Sequence, residues 1–526
     1  MELRNATIGQ LLHETTEHYP QNDALIFQNE SYTYTALLRE AQLHAKGLLA
    51  LGVKKGDHVA IWANDRPRTI LCFYALWLIG AVVVPMCTKC TAWELEHYLD
   101  ESDATWMALD AMQSNLEIDW KASLKQVPFA HTFSLEKDAC GTAHSWADIA
   151  LLGQGVSDDT LMQAETAVTH TDTDCLLFTS GSTGASKAVE TTHFNRVNTA
   201  IVQAEVLHAS PRDRYCSALP TYHCFSLTAT ILAAMTVGAT VILTADRRTK
   251  TILDTIQGQF CTIFSAVPTL FSAILARTDL ESYDFSSLRT GVIGGSTYPP
   301  ELFREICDKM GMYLMSSLGQ TEASAGLSSS ALSDYLTVRS TTVGKFFPGL
   351  EGKIADMRTG EPVFGVVGEI CVRGYNVMKG YYGHPELTAE TIDADGWLHT
   401  GDLGWIDKVG NIHYAGRKKE MIIRGGENIS PLELENLLAQ LSGVRSVKVI
   451  GIADPHYTEE ICACLITDGS VDDEAVRDFV RTRLAYYKVP KYVLFFDSFP
   501  QRATGKIDAT TLRSMAEFEL RQKGEL

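Results

Sequence analysis

Ala239-Thr240-Val241-Ile242-Leu243-Thr244-Ala245 is an apolar, β-branched run that reads as a buried strand, and the alternation it begins decides the fold. Thr249 to Gln257 has helical apolar spacing, Cys261 to Val267 is a second apolar run, and Pro268 to Ala276 opens with the residue best suited to a helix's first turn. Arg289 to Ile293, Pro300 to Met310 and Met312 to Ser316 repeat strand, helix, strand. Strands joined through helices run parallel, because only a crossover of about a dozen residues or more returns the chain to the same sheet end. The fold class is therefore α/β, with parallel β-sheets and crossover helices. Ligands are sought in loops at the carboxyl ends of those strands.

On the amino-terminal side, Ile70 to Met86 has no charged residue but is interrupted by Gly80 and Pro85. It reads as a buried helix ending near Gly80, then a short strand from Ala81 to Val84, with no transmembrane segment. Gly153 to Asp174 is polar and acidic and reads as a surface connection. Past Gly416 to Gly426 the rhythm changes to a small α+β module. Ser430-Pro431-Leu432-Glu433 is a helix start with a capping box. Val444 to Ile452 and Ile461 to Ile466 are neighbouring strands, Asp472 to Leu484 is a helix, and Tyr492 to Phe496 is a last strand.

The chain has 526 residues, 45% of them hydrophobic and 21% charged, which excludes a small stapled fold and wholesale disorder. Its net charge of -19 argues against nucleic acid or an anionic membrane as partner. Met1-Glu2-Leu3-Arg4-Asn5 lacks the basic and apolar regions of a secretory signal. The 12 cysteines are scattered, and Cys87 and Cys90 have no second pair at zinc spacing, so a cytoplasmic chain with reduced thiols is expected. An oligomer remains open.

The strongest chemical signal is Leu177-Phe178-Thr179-Ser180-Gly181-Ser182-Thr183-Gly184-Ala185-Ser186-Lys187. Small residues let backbone amides close on an anion, hydroxyls donate to its oxygens and Lys187 adds charge, which suits a polyphosphate. Ser186 stands where a Walker A loop needs glycine. Alone, such a loop is more often just a flexible connection.

Its companions occur in order. They are Pro220-Thr221-Tyr222-His223, Gly294-Gly295-Ser296, Gly319-Gln320-Thr321-Glu322, Asp395-Gly396-Trp397-Leu398-His399-Thr400-Gly401-Asp402, Gly416-Arg417 and Thr504-Gly505-Lys506. With Thr179 to Lys187, this series resembles the adenylate-forming superfamily of acyl-CoA synthetases, non-ribosomal adenylation domains and beetle luciferases. The likeness spans nearly the whole chain. It implies a large multi-subdomain N-terminal AMP-binding adenylation domain over residues 1–418. A mobile C-terminal domain over 419–526 would carry the catalytic lysine. Three positions depart from the family's pattern: Ser186 and Ala188 flank Lys187 where Pro and Gly are usual, and Leu318 stands in place of an adenine-stacking tyrosine.

The resemblance implies that ATP is held by Thr179, Ser180, Gly181, Ser182, Thr183, Gly184 and Lys187 at its phosphates. Gly294, Gly295, Ser296, Leu318 and Gly319 would lie beside adenine, and Asp402 and Arg417 at ribose or phosphate. Thr321 would donate to the α-phosphate, Glu322 would hold Mg²⁺ and His223 would lie beside the reacting carboxylate. Lys506 would bridge the acid's carboxylate and the α-phosphate, since joining two anions calls for positive charge. Lys419 matches the family's hinge, and Gly425 and Gly426 would leave room for the pantetheine arm of CoA.

These assignments point to an ATP-dependent acyl-CoA synthetase that makes an acyl-AMP, releases pyrophosphate and passes the acyl group to CoA. The mostly apolar run Cys224 to Met235 would line the acyl pocket. Ser226 follows Phe225 where amino-acid-activating domains place an aspartate, so a neutral acyl tail is expected. Asp395 to Asp402 and Arg373 to Tyr382 most resemble fatty acyl-CoA synthetases, which puts a medium-chain fatty acid first. Alternatives are an aryl or alicyclic acid–CoA ligase, an enzyme loading an acyl carrier protein or oxidising its adenylate, and a nucleotide-binding protein without catalysis.

Overall fold

The computed structural model describes residues 2–114, 119–179, 186–424, 427–455, 457–484, 486–501 and 506–526. By packing, the chain divides into two compact units. The first comprises Met1–Gly295, Leu302–Gly352 and Val372–Leu398, and the second Ser296–Glu301, Lys353–Cys371 and His399–Leu526.

The sequence rhythm around residues 240–316 becomes a nine-stranded sheet in the first unit. Six strands run parallel side by side: Tyr313–Leu318, Thr290–Ile293, Ile263–Phe264, Arg214–Ser217, Thr240–Leu243 and Asp23–Phe27. Their central members are buried on both faces, which is why they are nearly continuous in apolar residues. The crossovers are the expected helices Thr249–Gly258, Pro268–Leu275 and Pro300–Met310.

A seven-stranded sheet of the same unit has the order 380–381, 187–192, 173–179, 82–85, 58–62, 106–109, 132–134. The helix Pro67–Leu78 is buried all round, and Gly80 takes φ +73° before the strand Val82–Pro85. Its unbroken apolar character thus reflects burial between neighbours, as the interrupted run from Ile70 to Met86 implied. Between Gly153 and Asp174 the chain does more than connect: Ser157 caps a helix Asp158–Ala167 whose Leu161 is buried. The acidic first turn of that helix, Asp158 and Asp159, favours its positive N-terminus, a helix signal that composition alone read as loop.

The second unit has a four-stranded sheet of Glu351–Ala355, Gly368–Arg373, Leu398–Ile406 and Ile412–Arg417 and a five-stranded α+β module. In that module Val444–Asp454 and Thr458–Thr467 pair antiparallel. Strand alternation divides the core in two. Val449, Ile461, Ala463 and Leu465 pack with Leu434, Leu438, Val476 and Val480, whereas Ile450, Ile452, Cys462 and Cys464 pack with Leu512, Ala516 and Leu520. The helix Pro431–Leu438 begins as expected, with Ser430 Oγ accepting from the Glu433 amide at 3.4 Å. The carboxylate of Glu433 does not close the capping box. It accepts from Lys488 Nζ at 2.6 and 2.8 Å, because a tertiary cation outcompetes a neutral backbone amide.

All 12 cysteines are reduced, none is fully exposed, and burial pushes the Cys90 thiol up to about 12. Among the described residues no helix is long and apolar enough to cross a membrane.

Candidate active site

In the first unit the strands Thr173–Thr179 and Lys187–Thr192 pair antiparallel, with Thr179 opposite Lys187. This register places the two ends of the Ser/Gly-rich loop side by side. Ser180, Gly181, Ser182, Thr183 and Gly184 themselves lie outside the described residues. The loop's far shoulder is anchored at Ser186, whose carbonyl lies 2.9 Å from His97 Nε2. That contact supplies a tether at a position where a proline would have stiffened the chain.

Lys187 Nζ lies 5.4 Å from the centroid of the Tyr381 ring, close enough for a cation–π contact. Tyr381 sits on the edge strand Gly380–Tyr381, opposite Val189, and its hydroxyl donates to Glu322 Oε1 at 2.9 Å. One aromatic side chain thus touches both the cation and the carboxylate expected to act on the nucleotide. Reading by motif missed it, since Tyr381 is separated by 194 and 59 positions from the two groups it joins (381 − 187 and 381 − 322). The only signal for it was its place in Arg373 to Tyr382, a stretch whose family likeness named no role.

Thr321 and Glu322 lie in a single 3₁₀ turn, Thr321–Ala323, just beyond the strand Tyr313–Leu318. The loop is tight. A Cβ on Gly319 would stand 1.8 Å from the carbonyl oxygen of Ala325, so only glycine fits. Ser324 and Ala325 both take positive φ, +53° and +101°, which side-chain-bearing residues rarely adopt. Strain of this kind persists only where the surroundings enforce it, and it is typical of functional loops. The backbone is held from outside, with Met378 N donating to the Glu322 carbonyl at 2.9 Å. Gly295, at φ +87°, turns the chain after the strand Thr290–Ile293, and Ser296 is exposed. Leu318 ends its own strand, half-buried, opposite Ser328.

His223 immediately precedes the short helix Cys224–Ser226 without a side-chain capping bond, and its ring lies 4.7 Å from that of Tyr222. Cys224 Sγ approaches Thr321 Oγ1 at 3.7 Å, and burial pushes the thiol's pKa up, keeping it protonated. From Leu227 to Leu232 the chain is a π-helix, a wide turn common at functional sites. It is pinned by the fully buried Arg196, which pairs with Asp174 and donates to Thr228 Oγ1 at 2.7 Å.

In the second unit Asp402 and Arg417 face each other on paired strands. Asp402, only 1% exposed, accepts from Arg417 Nε at 2.9 Å and from the Tyr414 hydroxyl at 3.2 Å. Burial and the Asp402 charge raise the Tyr414 phenol well above its usual range, so it remains a donor. The Asp402 amide donates to Thr400 Oγ1 at 3.0 Å. Lys419 is exposed in the 3₁₀ turn Lys418–Glu420. Lys506 is exposed beside the bridge between Gln501 and Ile507, which brackets the segment carrying it. Gly425 and Gly426 lie outside the described residues.

The first unit thus brings a cation and a carboxylate to one tyrosine, and the second holds a buried carboxylate backed by arginine and tyrosine. That chemistry suits an adenine nucleotide, and sequence comparison agrees. The family model for AMP-binding enzymes matches residues 12–382, and that for the AMP-binding enzyme C-terminal domain matches 433–506. The chain belongs to the AMP-binding enzyme family. It is similar to a putative acyl-CoA synthetase, YngI, of Bacillus subtilis, 37% identical over 97% of both chains. It is also similar to the mitochondrial medium-chain acyl-CoA ligase ACSF2 of Rattus norvegicus, 32% identical over 99% of this chain and 89% of that one. Among solved structures, ATP-bound MatB from Rhodopseudomonas palustris superposes with a TM-score of 0.86 at 25% identity, covering 97% and 99% of the two chains. The anthranilate CoA ligase AuaEII with anthranoyl-AMP gives 0.86 at 25% identity, covering 99% of each. This AMP-binding enzyme is thus an AMP-forming acid–thiol ligase with ATP and CoA as substrates.

Proposed function

We propose that this ligase converts a medium-chain fatty acid to its acyl adenylate and then to the CoA thioester. The observation that carries the choice of acid is the segment Ser226 to Met235, which is buried throughout and contains no charged residue. A charged tail lying along it would lose hydration without gaining a counter-ion. Arg196, which touches this segment at Thr228, is already matched by Asp174. The medium-chain ligase named among the relatives supports the same reading. An aryl acid is the second reading, favoured by the anthranilate ligase among the structural neighbours.

In this scheme Lys187 and the amides of the 180–184 loop hold the pyrophosphate portion of ATP, and Thr321 donates to the α-phosphate. Asp402 accepts from ribose, with Arg417 holding its carboxylate in position. Gly294, Gly295, Ser296, Leu318 and Gly319 border adenine. His223 orients the acid. Lys506 neutralises the repulsion between the acid's carboxylate and the α-phosphate as they close on each other. Glu322 offers a hard oxygen donor, with Thr321 beside it, a set that fits Mg²⁺ bound mainly through substrate phosphates. When bound, Mg²⁺ would supply neutralising charge to those phosphates.

The two functional parts divide at 418/419, with Lys419 as pivot and Gly425 and Gly426 lining the path of the CoA arm. The reaction belongs to the cytoplasm. The experiment is pyrophosphate exchange with a panel of straight-chain, aryl and dicarboxylic acids, repeated with CoA and with acyl carrier protein. Fastest exchange with straight-chain acids of medium length, and thioester formed on CoA, are expected. Preference for aryl acids, or for the carrier protein, would overturn the corresponding part.

A further inference from the structure

In the second unit, Glu369, Cys371 and His399 form a cluster that the adenylation chemistry leaves unused. Glu369 and Cys371 are two positions apart on the strand Gly368–Arg373 and so project to one face, while His399 comes from the neighbouring strand Leu398–Ile406. One ligand atom from each lies within 4.8 Å of the other two. His399 Nδ1 stands 3.5 Å from Cys371 Sγ and 3.3 Å from Glu369 Oε2.

His399 Nδ1 lies within hydrogen-bonding reach of both groups, but one ring nitrogen either donates or accepts and so bonds only one of them well at a time. Both separations match the edges of a metal tetrahedron. With bonds of about 2.0 Å to nitrogen and oxygen and about 2.3 Å to sulfur, zinc sets its N···O edge near ~3.3 Å and its S···N edge near ~3.5 Å. Glu369 and Cys371 are buried, whereas the His399 side chain is 30% exposed and gives an ion a way in. Glu369 is also braced, since its Oε1 accepts from the Gly401 amide at 3.1 Å and leaves Oε2 to face the histidine.

We propose that Glu369, Cys371 and His399 bind one zinc-class divalent cation, with water as fourth ligand. Lys418 Nζ now lies 2.9 Å from Glu369 Oε2, and with its side chain 48% exposed it swings into solvent as the ion enters. The Cys371 S–H bond gives way to a metal–sulfur bond and its proton passes to water. A dication thereby replaces one proton and one ammonium, and the charge of the cluster is unchanged. This assignment is independent of the roles given to Asp402 and Lys506.

The test is Co²⁺ titration of the full chain after chelator treatment, read by absorption. One equivalent should give a near-ultraviolet thiolate-to-cobalt band and strong tetrahedral visible bands, both bleached by Zn²⁺. Cys371→Ser should lose the thiolate band, while Cys87→Ser keeps it. His399→Ala should weaken binding by about tenfold or more, the scale on which lost metal-site groups act. Lys418→Gln, which removes the competing cation, should tighten it. Absence of the band in the wild type, its persistence in Cys371→Ser, or unchanged affinity in Lys418→Gln would each overturn the assignment.

Discussion

Tyr381→Phe removes one oxygen from the proposed nucleotide site and leaves the rest of the ring in place. The hydroxyl donates to Glu322 Oε1 at 2.9 Å, while the ring face stands 5.4 Å from Lys187 Nζ. A hydrogen bond to a charged group contributes roughly 1.5–3 kcal/mol, and because both side chains are half-exposed the lower end applies. At about 1.4 kcal/mol per factor of ten, pyrophosphate exchange should fall about tenfold. The loss should lessen at high Mg²⁺, since what is disturbed is the setting of the carboxylate. Tyr381→Leu also removes the cation–π contact, which adds about 0.5–1 kcal/mol and a further two- to fivefold loss. Exchange rates at saturating acid, with thermal unfolding as a control on folding, measure both. Tyr381→Phe within twofold of wild type at every Mg²⁺ concentration would refute the claim that Tyr381 organises Glu322.

Four other outcomes are expected. Lys506→Ala should abolish adenylate formation while sparing thioester formation from supplied acyl-AMP, and equal loss of both half-reactions would show that the lysine serves both. Arg196→Met leaves Asp174 buried without its cation and should cost about 3–5 kcal/mol in urea unfolding, with Asp174→Leu added to it restoring much of the loss. Gly319→Ala should impair ATP binding in calorimetry, because the added methyl would meet the Ala325 carbonyl at 1.8 Å. Burial works against the Asp213 carboxylate, but Arg289 and Thr262 outweigh it and hold its pKa below the ordinary value. Its contribution to stability should therefore be complete above the ordinary carboxylate range and fade as pH falls through the depressed pKa. Wild type and Asp213→Asn should converge there in unfolding free energy, and a constant difference down to the acid end would contradict it.

Much of the architecture was legible because parallel strands buried on both faces cannot hide their apolar character. The strand Thr240–Leu243, the helix Pro268–Leu275 with its opening proline and the helix Pro300–Met310 were all marked locally. The helix Asp158–Ala167 was marked only by its Ser157 cap and acidic first turn, since its single buried residue, Leu161, leaves no periodic stripe to read. The capping box at Ser430 failed for a different reason: Glu433 found Lys488, 55 positions on, and no local pattern announces a partner at that distance.

The candidate site divides along the same line. Sequence by itself determined the family and the residue types at each step, because the ordered series from Thr179 to Lys506 keeps its hydroxyls, glycines, carboxylates and lysines within short motifs. Only the tertiary structure decided what those groups touch. Tyr381 at both Lys187 and Glu322, Arg196 beneath the π-helical turn and His399 against Cys371 all join residues from different strands or helices. Strand register and helix packing, rather than neighbours in the chain, set such contacts, and a side chain's chemistry fixes its capacity to bond without fixing its partner.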